Sequence, residues 1–325
     1  MTNKKYDVVA LGELLIDFTE NGLSEQGNPL LEANPGGAPC NVLSMLQKLG
    51  DKTAFIGKVG NDGFGHLLTK AVQEQGIDTT GLVYDNDVHT TLALVLKKEN
   101  GDRDFAFYRN PGADMNLKEE EVNESLIASS SIFHFGTLSL TDESVKKATQ
   151  KAVKVAKENG LTITFDPNLR EPLWRSLEEA HEQVAWGLQQ ADVVKISDNE
   201  ITWFTGMDNY DEGIAFLQKE YPNLKLICLS MGGDGSKAVY RDVHVAYPAF
   251  LQEATIETTG AGDTFCACMI HTVLENGIDH LDEEKLKEML KFANAAASLV
   301  TTKKGALRVM PTKEEVETFI ENFKR

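Results

Sequence analysis

The sequence has 325 residues, room for one large α/β domain or two medium ones and far more than a small stapled scaffold needs. Apolar residues make up 42% and charged residues 25%, which excludes a disordered chain. With 50 acids against 32 bases the formal charge is −18, so the average surface repels nucleic-acid backbones and anionic membranes, and neither is expected as a partner.

In chain order, Tyr6 to Leu11 is a short Val-rich run ended by Gly12, the pattern of a buried strand. A helix follows, with Pro39 in its first turn, Val42, Met45, Leu46 and Leu49 on one face, and Gly50 at its end. Ala54 to Val59 reads as a strand. Leu67, Leu68, Ala71 and Val72 form the apolar face of a second helix closed by Gly76. Strand-like runs recur at 131–136, 161–165, 192–196 and 224–230, separated by helical stretches around 142–159 and 176–190. This alternation predicts an α/β fold with a mostly parallel sheet covered by helices on both faces.

Two stretches break the alternation. Residues 90–109 read as two period-2 strands joined around Asn100-Gly101-Asp102, and residues 14–33 are polar and glycine-containing. Together they predict a small β lid, from about 14–33 and 88–112, inserted into a single domain spanning 1–325. Four cysteines, Cys40, Cys228, Cys266 and Cys268, lack any CxxC spacing, so neither zinc nor a disulfide framework is indicated and a reducing cytoplasm is expected. Acids at Asp7, Glu13 and Asp17 interrupt any N-terminal signal segment, and no apolar run reaches the roughly 18 residues of a membrane span. The seven histidines are scattered without ligand spacing, and Trp174, Trp186 and Trp203 read as packing residues.

The strongest chemical signal is ETTGAGDTF, residues 257–265. Gly260, Ala261 and Gly262 precede an apolar helix, whose first amides have no partner within the helix and form an anion hole. Asp263 beside it is placed to take a proton from a hydroxyl attacking a phosphoryl group. In isolation the same string also describes a capped turn. Upstream, Gly36-Gly37-Ala38-Pro39-Cys40-Asn41 brings backbone and an amide side chain to the start of the first helix, where sugar hydroxyls can bind. Residues 291–306, KFANAAASLVTTKKGA, are a small-residue helix running into a Lys-Gly-Ala loop.

GGAPCN near the start and TTGAGDTF near the end resemble the two signature regions of the ribokinase-like (PfkB) carbohydrate kinase family, and the order of elements between them matches across nearly the whole chain. FYRNPGADM (107–115) and FDPNLREPLW (165–174) are similar to its fructokinase branch. The resemblance implies a Rossmann-like body with a β lid and an ATP- and Mg²⁺-dependent phosphorylation of a small sugar, with fructose expected, 2-keto-3-deoxygluconate next and ribose behind it. It also implies roles. Asp263 would be the base, Gly260, Ala261 and Gly262 its anion hole, and Arg170 a contact to the transferring phosphate. Asp17, Gly36, Gly37 and Asn41 would line the sugar pocket, with Arg109 over it from the lid. Ser230, Gly232, Gly233 and Gly235 would border ATP, and Asn294 the adenine. No GxxxxGK[ST] loop occurs.

Two departures stand out. The family's Asn-x-x-Glu motif near Mg²⁺ is Ser197-Asp198-Asn199-Glu200 here, keeping only Glu200 as a candidate for the metal through water or phosphate. Relatives activated by a monovalent cation carry Asp where this chain has Glu257, which puts potassium dependence in question. The lid strands are expected either to pair two subunits, as in relatives, or to fold onto their own body. Among other classes, an NAD-dependent oxidoreductase fails because GELLID, not GxGxxG, follows the first strand. A non-catalytic sugar or nucleotide sensor would have no need of Asp263.

Overall fold

The computed structural model describes residues 4–97 and 103–323. In chain order, β1 (Tyr6–Leu11), β2 (Leu15–Leu23) and β3 (Pro29–Gly36) are followed by α1 (Ala38–Lys48), β4 (Thr53–Gly60), α2 (Gly63–Glu74) and β5 (Asp78–Asp85). Then come β6 (Leu92–Lys97), β7 (Arg103–Tyr108), α3 (Glu124–Ala128), β8 (Ser130–Gly136), α4 (Glu143–Glu158), β9 (Thr162–Asp166) and α5 (Leu177–Gln190). The C-terminal part holds β10 (Val193–Ser197), α6 (Asp198–Thr205), α7 (Tyr210–Glu220), β11 (Leu226–Ser230), β12 (Ser236–Tyr240), β13 (Val243–Tyr247), α8 (Ala261–Asn276), α9 (Glu283–Val300) and α10 (Lys313–Asn322).

Among the described residues the strands form two sheets. The larger runs β13-β12-β11-β10-β9-β8-β1-β4-β5, parallel throughout except for β12 and β13. Those two form a tight hairpin turning at Arg241, which takes a positive φ of 53°, a turn the sequence pattern did not disclose. The continuous apolar runs follow from burial on both faces: Val8 and Ala10 of β1 join one core cluster, Val9 and Leu11 the other. Leu226 and Cys228 of β11 alternate with Ile227 and Leu229 in the same way. Residues of α1, α2, α8 and α9 pack one cluster, residues of α4, α5, α6 and α7 the other.

The smaller sheet, β3-β2-β6-β7, is built from the two stretches that interrupt the alternation. The expected turn at 100–102 lies outside the described residues. Strand β5 and helices α6 and α7 escape a reading by periodicity. Leu67 is a correction: Leu68, Ala71 and Val72 are buried, whereas Leu67 lies on the exposed side of α2. It follows its neighbours in sequence but sits about 100° around the helix from Leu68, beyond the edge of the buried stripe. All four cysteines are free and buried.

Candidate active site

Strands of a parallel sheet deliver their C-terminal ends to one edge, where α/β proteins place ligands. Asp166 ends β9, Ser197 ends β10 and Ser230 ends β11, and Ser230 shares a cavity with Ala261 and Gly262 at the start of α8. Two cavities meet there. The first, about 260 Å³, is lined from the body by Asn41, Lys195, Gly260, Gly262, Asp263 and Ala306, among others. From the small sheet come Leu15, Asp17 and Thr19, alternate residues of β2, with Asn34 of β3, Val95 of β6 and Phe107 of β7. The second, about 380 Å³, includes Ser230, Gly232, Gly233, Gly235, Phe250, Leu251, Ala261 and Asn294. Thr258 and Gly262 border both.

The turn into α8 depends on close packing. Gly260, its N-cap, has φ 80°, and a Cβ there would meet Ala306 at 2.7 Å. The Lys-Gly-Ala loop that follows the small-residue helix thus packs against the turn into α8. Glu257 anchors this loop, its Oε1 accepting from the Gly305 amide at 2.7 Å. The Ala261 amide turns back to the Thr258 carbonyl at 3.2 Å, so of the three expected anion-hole amides this one already has a partner.

Asp263 occupies the first turn of α8. Asn41 Nδ2 donates to its Oδ2 at 2.8 Å, and the buried Asn41 Oδ1 has no partner among the described residues. Burial raises the Asp263 pKa above the ordinary carboxylate value, opposed by the Asn41 hydrogen bond and by Lys195 and Arg170. Asp17, facing it from β2, is pushed up by burial to about 7 despite Arg170. Gly36 does not line the cavity but packs against Asp17, whose Oδ2 would collide with a Cβ at that position. Gly37 caps α1 at φ 124°, and Glu13 replaces a side-chain cap, its Oε1 accepting from the Ala38 amide at 2.8 Å.

Arg170 follows β9, lines the first cavity and forms no ion pair among the described residues, its guanidinium donating to the Leu169 carbonyl at 3.0 Å. Two further expectations need correction. Arg109 does not reach the sugar side: it is buried, with its guanidinium on Asp114 at 2.7 Å, Thr141 at 2.8 Å and the Leu138 carbonyl at 2.9 Å. The buried Asp114 demands a cation, and Arg109 satisfies it. Glu200 does not line the cavity either. Its oxygens accept from the Leu169 amide and from the amide and hydroxyl of Ser197, each at 2.8 Å, closing a capping box on α6 and tying down the loop that carries Arg170. Asn294 borders the second cavity, yet its amide donates to the Tyr247 and Pro248 carbonyls and accepts from Ser236, so both its N–H donors are engaged within the protein.

Lys195 is the residue sequence reasoning missed. It lies inside the run DVVKI, read as strand core, and the only signal available was a charge in an otherwise apolar run. Its Nζ stands 3.1 Å from the carboxylate of Asp166. No group of three His, Cys, Asp or Glu side chains among the described residues is placed to hold a metal ion.

The arrangement joins a cavity lined by carboxylates and amides to a glycine-walled one through a helix N-terminus with a carboxylate in its first turn, an arrangement suited to phosphoryl transfer between two small molecules. Comparison with known proteins agrees. The pfkB family carbohydrate kinase profile matches residues 5–313. A probable fructokinase-2 of Arabidopsis thaliana is 42% identical over 316 residues, covering 96% of this chain and 95% of that protein. The fructokinase of Xylella fastidiosa with bound ATP superposes with TM-score 0.88 at 29% identity, over 97% of this chain and 98% of the other. The fructokinase of Vibrio cholerae O395, with fructose, ADP and calcium ion bound, gives TM-score 0.87 at 28% identity, over 97% and 99%. The chain belongs to the pfkB family of carbohydrate kinases.

Proposed function

We infer that this protein is an ATP-dependent fructokinase. The observation that carries the reading is the meeting of the two cavities at the start of α8, with Asp263 on the sugar side and Ser230, Gly232, Gly233 and Gly235 on the nucleotide side. The sugar is held between Asp17 of the lid sheet and Asn41, whose unpartnered Oδ1 gains a hydroxyl donor when sugar binds. Asp263 takes the hydroxyl proton. One of its oxygens is fixed by Asn41, and burial makes it a stronger base than an exposed carboxylate. Amides at the helix N-terminus and Arg170 face the transferring phosphoryl group. Magnesium bound to the nucleotide would neutralise phosphate charge. Glu200 acts from outside the cavity by holding the loop before Arg170.

Fructose is favoured over an acid sugar because Arg109 is engaged by Asp114, which leaves the lid side of the cavity with acceptors and, among the described residues, no cation. Coupled ADP release over fructose, 2-keto-3-deoxygluconate, ribose, glucose and fructose 6-phosphate tests the assignment. The expected order of kcat/KM puts fructose first and fructose 6-phosphate last; a first place for the keto acid would overturn it. The four buried free cysteines suit a reducing cytoplasm, where we place the protein, and no described helix is long and apolar enough to cross a membrane. A homodimer through the lid sheets is the assembly we propose, on the exposure of Leu23, Leu30, Leu31 and Tyr108 in that sheet. Sedimentation at micromolar concentration would show a monomer if it is wrong.

A further inference from the structure

We propose that Lys195 is a catalytic residue whose ammonium, held in place by Asp166, contacts the phosphoryl group during its passage from nucleotide to sugar; the proposal deepens the kinase reading above and rests on it.

The geometry is specific. Lys195 is the third of the five residues of β10, is 5% exposed, and lines the same cavity as Asp263, Gly260 and Gly262. A Cβ built on Gly262 would stand 3.3 Å from Nζ, so the ammonium lies against the backbone of the first turn of α8, where phosphate must sit. Only the absence of a side chain at Gly262 leaves this face of the ammonium open. An ammonium carries three N–H donors, and the acceptors it reaches among the described residues are the two oxygens of Asp166, at 3.1 and 3.2 Å. Donor capacity therefore remains at the cavity wall.

Stability is a poor reason for this pair. Desolvating two charges costs roughly what their attraction returns, and an apolar pair of similar volume would fill the space at least as well. The charge balance of the cavity supplies a better one. Glu13, Asp17, Glu257 and Asp263 line it, against Arg170 and Lys195. A polyphosphate entering so acidic a place needs a cation at its reacting end. Arg170 is exposed and hydrogen-bonds its own neighbour, the Leu169 carbonyl. Lys195 is buried and fixed, the condition under which a donor gains most in a water-poor site. Burial pulls its pKa down, but Asp166 and Glu200 outweigh that and hold it above the ordinary value, so the charge persists at working pH.

In the step itself the sugar oxygen forms a bond to the γ-phosphorus, the bond from that phosphorus to the β–γ bridging oxygen breaks with its electron pair leaving on ADP, and the hydroxyl proton passes to Asp263. Lys195 keeps its protons and offsets the charge spread over the equatorial oxygens.

Lys195→Met, Lys195→Arg and the double variant Asp166→Asn with Lys195→Met are compared with wild type by thermal unfolding and by steady-state kinetics on the best sugar of the panel. Lys195→Met should lower kcat roughly 10²–10³-fold, the usual worth of one such donor, with KM for the sugar little changed. Lys195→Arg should recover part of it. The double variant, which removes both charges, should regain the unfolding temperature but not kcat. Recovery of kcat together with stability would reduce Lys195 to a counter-ion for Asp166 and overturn the proposal, as would undiminished turnover in Lys195→Met. Binding of ADP with aluminium fluoride and the sugar, measured by calorimetry, reads the contact without turnover: the tightening over ADP alone should vanish in Lys195→Met, and its persistence would also overturn the proposal. A wild-type chain inactive on every sugar would sink the kinase reading instead, a result separate from any difference among the variants.

Discussion

Asp263 stands between opposing influences: burial raises its pKa while Asn41, Lys195 and Arg170 restrain it. Asp263→Asn should keep the fold and ATP binding and lower kcat by roughly 10²–10⁴-fold in the ADP-release assay, the usual worth of a positioned base. Asn41→Ala removes a hydrogen bond that favours the carboxylate, so the acid limb of the kcat profile should move to higher pH, since activity is lost as pH falls through a pKa that is now further raised. An unmoved limb would separate that limb from Asp263. Asp17→Ala should raise KM for the sugar far more than KM for ATP, because Asp17 stands on the lid side of the sugar cavity alone; equal changes would remove it from the sugar site.

At the scale of elements, the lid is tied to the body by a buried cluster just after β7. Arg109 joins Asp114 to Thr141 and the Leu138 carbonyl, while the Thr91 hydroxyl donates to the other oxygen of Asp114 at 2.5 Å. Arg109→Ala strands a buried carboxylate and should cost on the order of 3–5 kcal/mol by denaturant titration. Its effect on KM should not single out the sugar. A stable variant with a selective loss of sugar affinity would return Arg109 to the pocket. The sequence pattern identified the lid strands and the motif around Arg109, but could not say which way the guanidinium turns, since the acid that engages it, five residues on, reads equally as a loop residue.

For the whole molecule, the cavity stores unfavourable charge when empty. Burial pushes Glu13 up to about 7, with Asp114 adding to the effect and Arg109 opposing it. The folded chain therefore holds this proton after the unfolded chain has released its own near the ordinary value of 4.5. The contribution to stability is complete below that ordinary value and lost as pH rises through about 7. Glu13→Gln keeps an acceptor for the Ala38 amide and removes the titration. Its unfolding temperature relative to wild type should be more favourable at pH 8 than at pH 5, and the same difference at both would show that Glu13 ionises freely in the fold.

The alternation of Val-rich runs with amphipathic stretches determined the parallel sheet, because burial on both faces leaves an unbroken apolar run that a single sequence displays. The glycines around Asp263 and the GGAPCN string determined the two ends of the site in the same way, since a backbone that must approach a ligand or a neighbouring loop tolerates no side chain. The partners of charged and polar side chains were decided only by the tertiary structure. Arg109 went to Asp114, Glu200 to Ser197 and Leu169, and the Asn294 amide to Tyr247, Pro248 and Ser236. Lys195, hidden inside a strand, emerged at the cavity beside Asp166. Hydrophobic periodicity is written along the chain, whereas a long polar side chain meets whichever partner the packed elements bring within hydrogen-bond reach, and that depends on pairs tens to hundreds of residues apart.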